Sequence, residues 1–284
     1  MRAISAATPV AAVVGAPVRH SLSPLIHNAW IAASEIDAVY VAFEPTVGRF
    51  EDFARGLRGG VIRGLNVTAP FKEQALALAD RVSRRACEAG SANLLLFDAN
   101  GDIRADNTDG EGLLYAFITQ VPRFDPAAGP VVIMGAGGAA RGAAAAFLEA
   151  GAPAVCFVNR TVGRAAALAG HFGDRAGAAG LSDLRSVLSG AHVLINATPL
   201  GFNGEAMPVI DLAAAPPTCV VMDMVYRPVV TSLLDAAAKL GLRTVDGLQM
   251  LIGQARPSFK AFFGRPPPAM DIRALAVTAL EPKR

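Results

Sequence analysis

At 284 residues, 52% apolar and 18% charged, the chain can bury two cores of ordinary domain size, which excludes disorder as its main state. Its formal charge is only +2 and its basic residues are interleaved with acids, so it lacks the basic stripe of a nucleic-acid-binding protein. No apolar run reaches bilayer length, and three scattered cysteines (Cys87, Cys156, Cys219) fit reduced core thiols of a cytoplasmic protein, with no metal centre expected.

Short apolar runs alternate with helical patterns, the rhythm of βα units. Strands are expected at 10–14, 39–43, 61–67 and 93–97, and helices at 24–33, 47–57, 71–79 and 84–89. The opening residues imitate a signal peptide, but 10–15 runs straight into a polar motif, so no leader is expected. Asp98-Ala99-Asn100-Gly101-Asp102 is turn chemistry that folds 93–97 back on 103–105 as a hairpin. A helix from 109 to about 120 follows, then a polar, Pro-rich break at 122–130 that marks the change of domain. Beyond it the rhythm restarts with strands at 131–134, 155–158, 193–196 and 220–224, and helices from near Leu248 and over 272–280 close the chain.

The run Val131-Val132-Ile133-Met134 leads into Gly135-Ala136-Gly137-Gly138-Ala139-Ala140, the GxGxxA form of the dinucleotide fingerprint. Gly135 permits the tight turn, Gly137 admits the pyrophosphate, and Ala140 keeps helix and strand close while the free N–H groups of the helix bind phosphate. Alone, such a match is also what a plain tight turn gives. The next strand discriminates. It ends in Asn159-Arg160-Thr161, where an NAD enzyme carries an acid for the ribose hydroxyls. A guanidinium there suits a 2′-phosphate, and Thr161 and Arg164 add a hydroxyl and a second charge, so NADP is the expected cofactor.

Three polar clusters lie at strand-to-helix edges of the first half. Ser21 and Ser23 alternate on a segment read as extended, with Ser23 as N-cap and Pro24 as the first helical residue, a cradle for a small carboxylate. Asn66-Val67-Thr68-Ala69-Pro70-Phe71-Lys72 is the second, and Asn107-Thr108-Asp109, with Asn93 nearby, the third. Hydroxyls, amides, one lysine and one carboxylate suit a compact polyhydroxylated acid, although each singly is more often a cap or a turn.

In order along the chain, His20-Ser21-Leu22-Ser23-Pro24, Asn66 to Lys72, Asn107-Thr108-Asp109-Gly110, 135–141, Asn159-Arg160-Thr161, Asn196-Ala197-Thr198-Pro199-Leu200-Gly201, Asp223-Met224-Val225-Tyr226 and 247–254 resemble the shikimate dehydrogenase family. The resemblance implies NADPH-dependent reduction of 3-dehydroshikimate to shikimate, on the route to chorismate and the aromatic amino acids. It implies that Ser21 and Ser23 hold the carboxylate with Tyr226 nearby, and that Asn66, Thr68, Asn93, Asp109 and Gln254 bind ring hydroxyls. Lys72 would be catalytic with Asp109, and Met224 and Gly247 would lie at the nicotinamide. It also implies an α/β fold of parallel sheets in two domains about a cleft: a substrate domain at 1–110, completed by helices in 247–284, and a Rossmann domain at 111–246.

Leu94, Asp106 and Arg84 depart from the family's usual residues. The competing readings are an NAD-using quinate/shikimate dehydrogenase, a folate-type dehydrogenase with a cleft lysine, and an NADP-binding regulator without chemistry. Asn159-Arg160 and Ser23 speak against the first, the serine pair against the second, and retention of Lys72 and Asp109 against the third. The expected partners are the small-molecule substrate and at most a second copy of the chain, as a monomer or homodimer.

Overall fold

The apolar runs become strands, and the sheet order shows why some had to be apolar throughout. The structure, a computed structural model, describes residues 4–205 and 210–281. It holds β1 (Val10–Val14), α1 (Ser23–Ala33), β2 (Val39–Phe43), α2 (Phe50–Arg55), β3 (Ile62–Val67), α3 (Lys72–Leu78), β4 (Arg81–Val82), α4 (Arg84–Ala89), β5 (Leu94–Phe97), β6 (Ile103–Asp106) and α5 (Asp109–Gln120). Then follow β7 (Val131–Met134), α6 (Gly138–Glu149), β8 (Val155–Val158), α7 (Val162–Ala169), β9 (Ala176–Ala179), α8 (Leu184–Leu188), β10 (Val193–Asn196), β11 (Val220–Asp223), α9 (Ser232–Lys239), β12 (Arg243–Asp246), α10 (Gly247–Phe263) and α11 (Ile272–Leu280). Their contacts divide them into two units, one up to Thr108 with Gln254 onward, the other from Asp109 to Gly253.

The first unit is built on a six-stranded sheet in the order β2-β1-β3-β5-β6-β4. β1 runs parallel to β2 and β3, whereas β5 is antiparallel to both β3 and β6, so the expected hairpin across 98–102 makes this sheet mixed. β1 has a neighbour on each side and is buried from Ala11 onward, which is why Val-Ala-Ala-Val-Val carries no polar alternation. One face packs Ala12, Val14, Leu65 and Leu95 against stacked Phe50 and Phe71. On α1, Ile26, His27 and Trp30 point inward at helical spacing, and α11 packs against this helix.

The helix expected over 47–57 is shorter. Gly48 adopts φ +89° and Val47 is exposed, so the chain turns before α2 starts at Phe50, and α2 ends at Gly56. Cys87, expected in a core, is exposed, because Ala86 and Ala89 fill the inward side of the short α4.

In the second unit all pairings are parallel, in the order β12-β11-β10-β7-β8-β9. The order of appearance reverses between β7 and β10, the doubly wound arrangement with its switch point there. Along β7, Val131 and Ile133 join one hydrophobic cluster while Val132 and Met134 join the other. A strand covered on both sides favours a continuous apolar run, and β7, β10 and β11 are buried throughout, β10 and β11 breaking the run only at their last residues, Asn196 and Asp223.

Candidate active site

Topology gathers the polar clusters of the first unit at one rim of its sheet. β1 and β3 are parallel with Val14 opposite Val67, so the loops carrying Ser21–Ser23 and Thr68–Lys72 leave side by side. The reversed β5 begins at that same rim, with Leu94 opposite both Asn66 and Asp106. That places Asn93 and Asn107-Thr108 beside Asn66. Gly15 lets the first two loops touch: a Cβ there would overlap the Thr68 side chain and lie 3.1 Å from the Ala69 carbonyl oxygen.

The serine pair differs from expectation. Ser23 is already helical and Leu22 is the N-cap, with φ −84° and ψ −6°, so Pro24 occupies the second helical position. The segment is therefore not extended. Instead the Ser21 hydroxyl accepts the Ser23 N–H at 3.2 Å, doing the capping work assigned to Ser23. This leaves Ser23, which is buried, without the capping role.

Behind the rim runs a buried hydrogen-bond network. Tyr40 donates to Asn66 Oδ1 at 2.8 Å, and Asn66 Nδ2 donates to Ser258 Oγ at 2.8 Å and to the Asn93 carbonyl at 3.3 Å. Asn93 Nδ2 reaches Thr108 Oγ1 at 3.0 Å and Gln254 Oε1 at 3.4 Å, while its Oδ1 accepts the Thr108 N–H at 2.8 Å. Burial pushes the Tyr40 phenol well above its usual value, with Ser23 pulling the other way. Desolvation holds His27, stacked 4.1 Å from Tyr40, neutral with a pKa lowered to about 3. Lys72 opens α3, half-buried, and its carbonyl accepts the Ala92 N–H at 2.9 Å.

The second unit builds its site at the switch point. Gly135 has φ +115° and packs on the Ala197-Thr198 turn, where a Cβ would lie 3.1 Å from the Ala197 oxygen. That turn is pinned by Asn196, which donates to Asp223 Oδ1 at 2.9 Å and accepts the Thr198 hydroxyl at 2.6 Å. Burial raises the Asp223 carboxyl, against hydrogen bonds from Thr231, Val225 and Asn196. Gly137 and Gly138 border open space, since a Cβ at either meets nothing within 4 Å. Ala140 is fully buried beneath them.

After β8, Asn159 Nδ2 donates to the Thr161 carbonyl at 3.0 Å, and Thr161 caps α7 through its backbone without using its hydroxyl. Arg160 and Arg164 are exposed, and neither pairs with an acid among the described residues. An open backbone cradle with two free guanidinium groups one strand away fits a dinucleotide bearing a 2′-phosphate. Met224 and Tyr226 follow β11, Gly247 opens α10 against the Met224–Val225 backbone, and Asp109 opens α5. Burial raises the Tyr226 phenol. Among the described residues, no group of three or more His, Cys, Asp or Glu is placed to hold a metal ion, and no helix is long and apolar enough to cross a membrane.

A family model for the shikimate dehydrogenase substrate binding domain matches residues 13–95, and one for shikimate / quinate 5-dehydrogenase matches 123–202. Shikimate dehydrogenase (NADP(+)) of Caulobacter vibrioides is 56% identical over 279 residues, covering 98% of each chain. The chain belongs to the shikimate dehydrogenase family. Among solved structures, shikimate 5-dehydrogenase of Thermus thermophilus in complex with NADP(H) and shikimate superimposes with a TM-score of 0.84 at 34% identity, covering 96% of this chain and 100% of that one. The Aquifex aeolicus shikimate dehydrogenase gives 0.85 at 33%, covering 94% and 96%.

The departures from the family pattern are accounted for locally. Leu94 is buried within the sheet. Asp106 accepts from Ser83 at 2.5 Å, from Arg85 at 2.6 Å and from the Asn107 N–H at 2.7 Å, bracing the loop that carries Asn107 and Thr108. Burial raises its carboxyl, but these three donors outweigh burial and leave it below the usual range. Arg84 is exposed and pairs with Glu88 at 3.5 Å. Tyr40, Ser258 and Asp223 escaped the sequence reading as site residues. Ser258 lies one helical turn beyond Gln254, which is the signal that could have found it.

Proposed function

We propose that the chain interconverts 3-dehydroshikimate and shikimate with NADPH and NADP+, 3-dehydroshikimate + NADPH + H+ giving shikimate + NADP+, on the cytoplasmic route to chorismate. The observation that carries this reading is the convergence on one sheet rim of the serine pair, Asn66, Thr68, Lys72 and Asn93, with Gln254 tied into the same network. The division of labour follows the two compact units, the first binding substrate and the second, by its switch-point loop, the cofactor.

When bound, the nicotinamide supplies a hydride to the ketone carbon. Gly135 to Ala139 would hold the pyrophosphate, and Asn159, Arg160, Thr161 and Arg164 the adenosine ribose phosphate, with Met224 and Gly247 at the nicotinamide end. Ser21 and Ser23, with Tyr226, hold the carboxylate. Asn66, Thr68, Asn93, Asp109 and Gln254 hold the ring hydroxyls. Reduction builds negative charge on the former carbonyl oxygen, so a proton must arrive there. Lys72, at the start of α3 and four residues past Thr68, supplies it, and Asp109 orients the ammonium. In the oxidising direction Lys72 takes the hydroxyl proton back.

The test is purified protein with shikimate and NADP+, followed by NADPH absorbance. Turnover is expected, and Lys72→Ala is expected to lower kcat by about 10²- to 10⁴-fold, the usual worth of a general acid–base group, with KM for NADP+ unchanged. Absence of turnover by the wild type would refute the function. Normal kcat with raised KM in Lys72→Ala would make the lysine a binding group.

A further inference from the structure

Asn66 is more constrained than a ligand-binding amide at a rim needs to be. Its side chain stands between three partners, and their chemistry fixes which way it faces. The Asn93 carbonyl can only accept, so the atom 3.3 Å from it is the Asn66 amide nitrogen. Ser258 directs its hydroxyl proton to the Gln254 carbonyl at 3.1 Å, which leaves a lone pair for the second Asn66 N–H at 2.8 Å. Both amide protons are thereby committed. On the opposite side, Tyr40 delivers its hydroxyl proton to Asn66 Oδ1 at 2.8 Å. An amide oxygen accepts twice, so one lone pair of Oδ1 is what Asn66 has left to offer a substrate.

Tyr40 is itself held. It is 1% exposed, lies face to face with His27 at 4.1 Å and 4°, and meets Phe262 at 6.2 Å. With one face stacked on His27, Phe262 packed at its edge and almost no exposed surface, the ring holds its hydroxyl at Asn66.

We propose that Tyr40 and Ser258 are positioning residues which clamp the Asn66 amide from its two sides, so that Asn66 enters substrate binding as a hydrogen-bond acceptor for a ring hydroxyl. This rests on the reading of the chain as an enzyme acting on shikimate and of Asn66 as a substrate contact. The clamp matters because an unclamped amide flips and presents N–H groups to the same hydroxyl, which then has to surrender its own donor role. Discrimination in a polar site depends on such fixed donor and acceptor directions.

Tyr40→Phe removes the hydroxyl and keeps the ring stacked on His27, and Ser258→Ala removes the other jaw of the clamp. Each is expected to raise KM for shikimate by about 3- to 10-fold, the worth of one neutral hydrogen bond, with kcat and KM for NADP+ unchanged. In an Asn66→Ala background, Tyr40→Phe is expected to add nothing, because the residue it acts through is gone. A merely structural tyrosine would lower Tm without moving KM, or would add its full effect in the Asn66→Ala background. Either result, obtained with an active wild type, overturns the clamp and leaves the function standing. A wild type without turnover on shikimate overturns the function and the clamp together.

Discussion

Replacing Gly247 by alanine sets two physical effects against each other, and the structure decides the sign. Gly247 opens α10, and by helix preference alone alanine would be favoured by about 0.5–1 kcal/mol. A Cβ at this position, however, would overlap the Met224 carbonyl oxygen and lie 2.6 Å from the Met224 carbonyl carbon and 2.8 Å from that of Val225. All three atoms are backbone, so no rotamer change relieves the contact. Reaching an ordinary separation of about 3.5 Å requires the Met224–Val225 segment or the helix start to move by roughly 1 Å. Overpacking of this kind costs about 1–3 kcal/mol. Set against the helix preference, this leaves a net loss of about 0–2.5 kcal/mol, and at about 2–4 °C per kcal/mol for a domain of this size Tm should fall by up to about 10 °C. Because the displaced residues are those assigned to the nicotinamide, a shift of about 1 Å should also lower kcat by about 100-fold. Thermal unfolding and steady-state shikimate oxidation measure both effects. Gly142→Ala is the control, since its Cβ meets nothing within 4 Å in the middle of α6, and it should gain about 0.5–1 kcal/mol. A Gly247→Ala protein as stable as wild type, with unchanged kcat, would refute the steric argument.

Arg160→Leu should weaken NADP binding by about 10- to 150-fold, the worth of one charge-assisted contact, while NAD binding changes little. Equal losses for the two cofactors would show that Arg160 does not read the 2′-phosphate. His27 gives a pH signature: it stays neutral in the fold down to about 3, whereas the unfolded chain takes up the proton near 6.5. Its stabilising contribution is therefore complete above about 6.5 and is lost as pH falls, at about 1.4 kcal/mol per pH unit. His27→Phe, which can keep the stack on Tyr40, should flatten the dependence of Tm on pH over that interval. An unchanged slope would mean that His27 is not buried as a neutral ring.

Strands covered on both faces were legible because continuous runs such as Val131 to Met134 have few other uses. The short edge strands were not. β9 is Ala-Gly-Ala-Ala, without a β-branched or aromatic residue, and β4 has only Arg81 and Val82, so both exist through pairing with a neighbour and not through local preference. The site was legible as clusters, since Ser21, Asn66 and Lys72 fall at strand-to-helix junctions. The details failed where geometry, not residue type, decides. Nothing local says whether the helix begins at Ser23 or one residue later, and that choice exchanged the roles of the two serines. Tyr40, in Val-Tyr-Val-Ala-Phe, reads as an ordinary inward strand residue, and its importance comes from Asn66, which lies on a different strand.

The single reversed strand in the first sheet has an evolutionary consequence. The turns at 34–38 and 56–61 precede the parallel strands β2 and β3, and because β5 runs against its neighbours the turn at 98–102 joins them on the rim opposite Ser21, Asn66, Lys72 and Asn93. Insertions, deletions and surface charge changes can accumulate in those turns without moving a substrate contact. Lineages of this enzyme can therefore adapt solubility, heat tolerance or attachment to other proteins on one rim while the chemistry on the other is conserved. A new chain end opened by circular permutation belongs at 98–102 for the same reason.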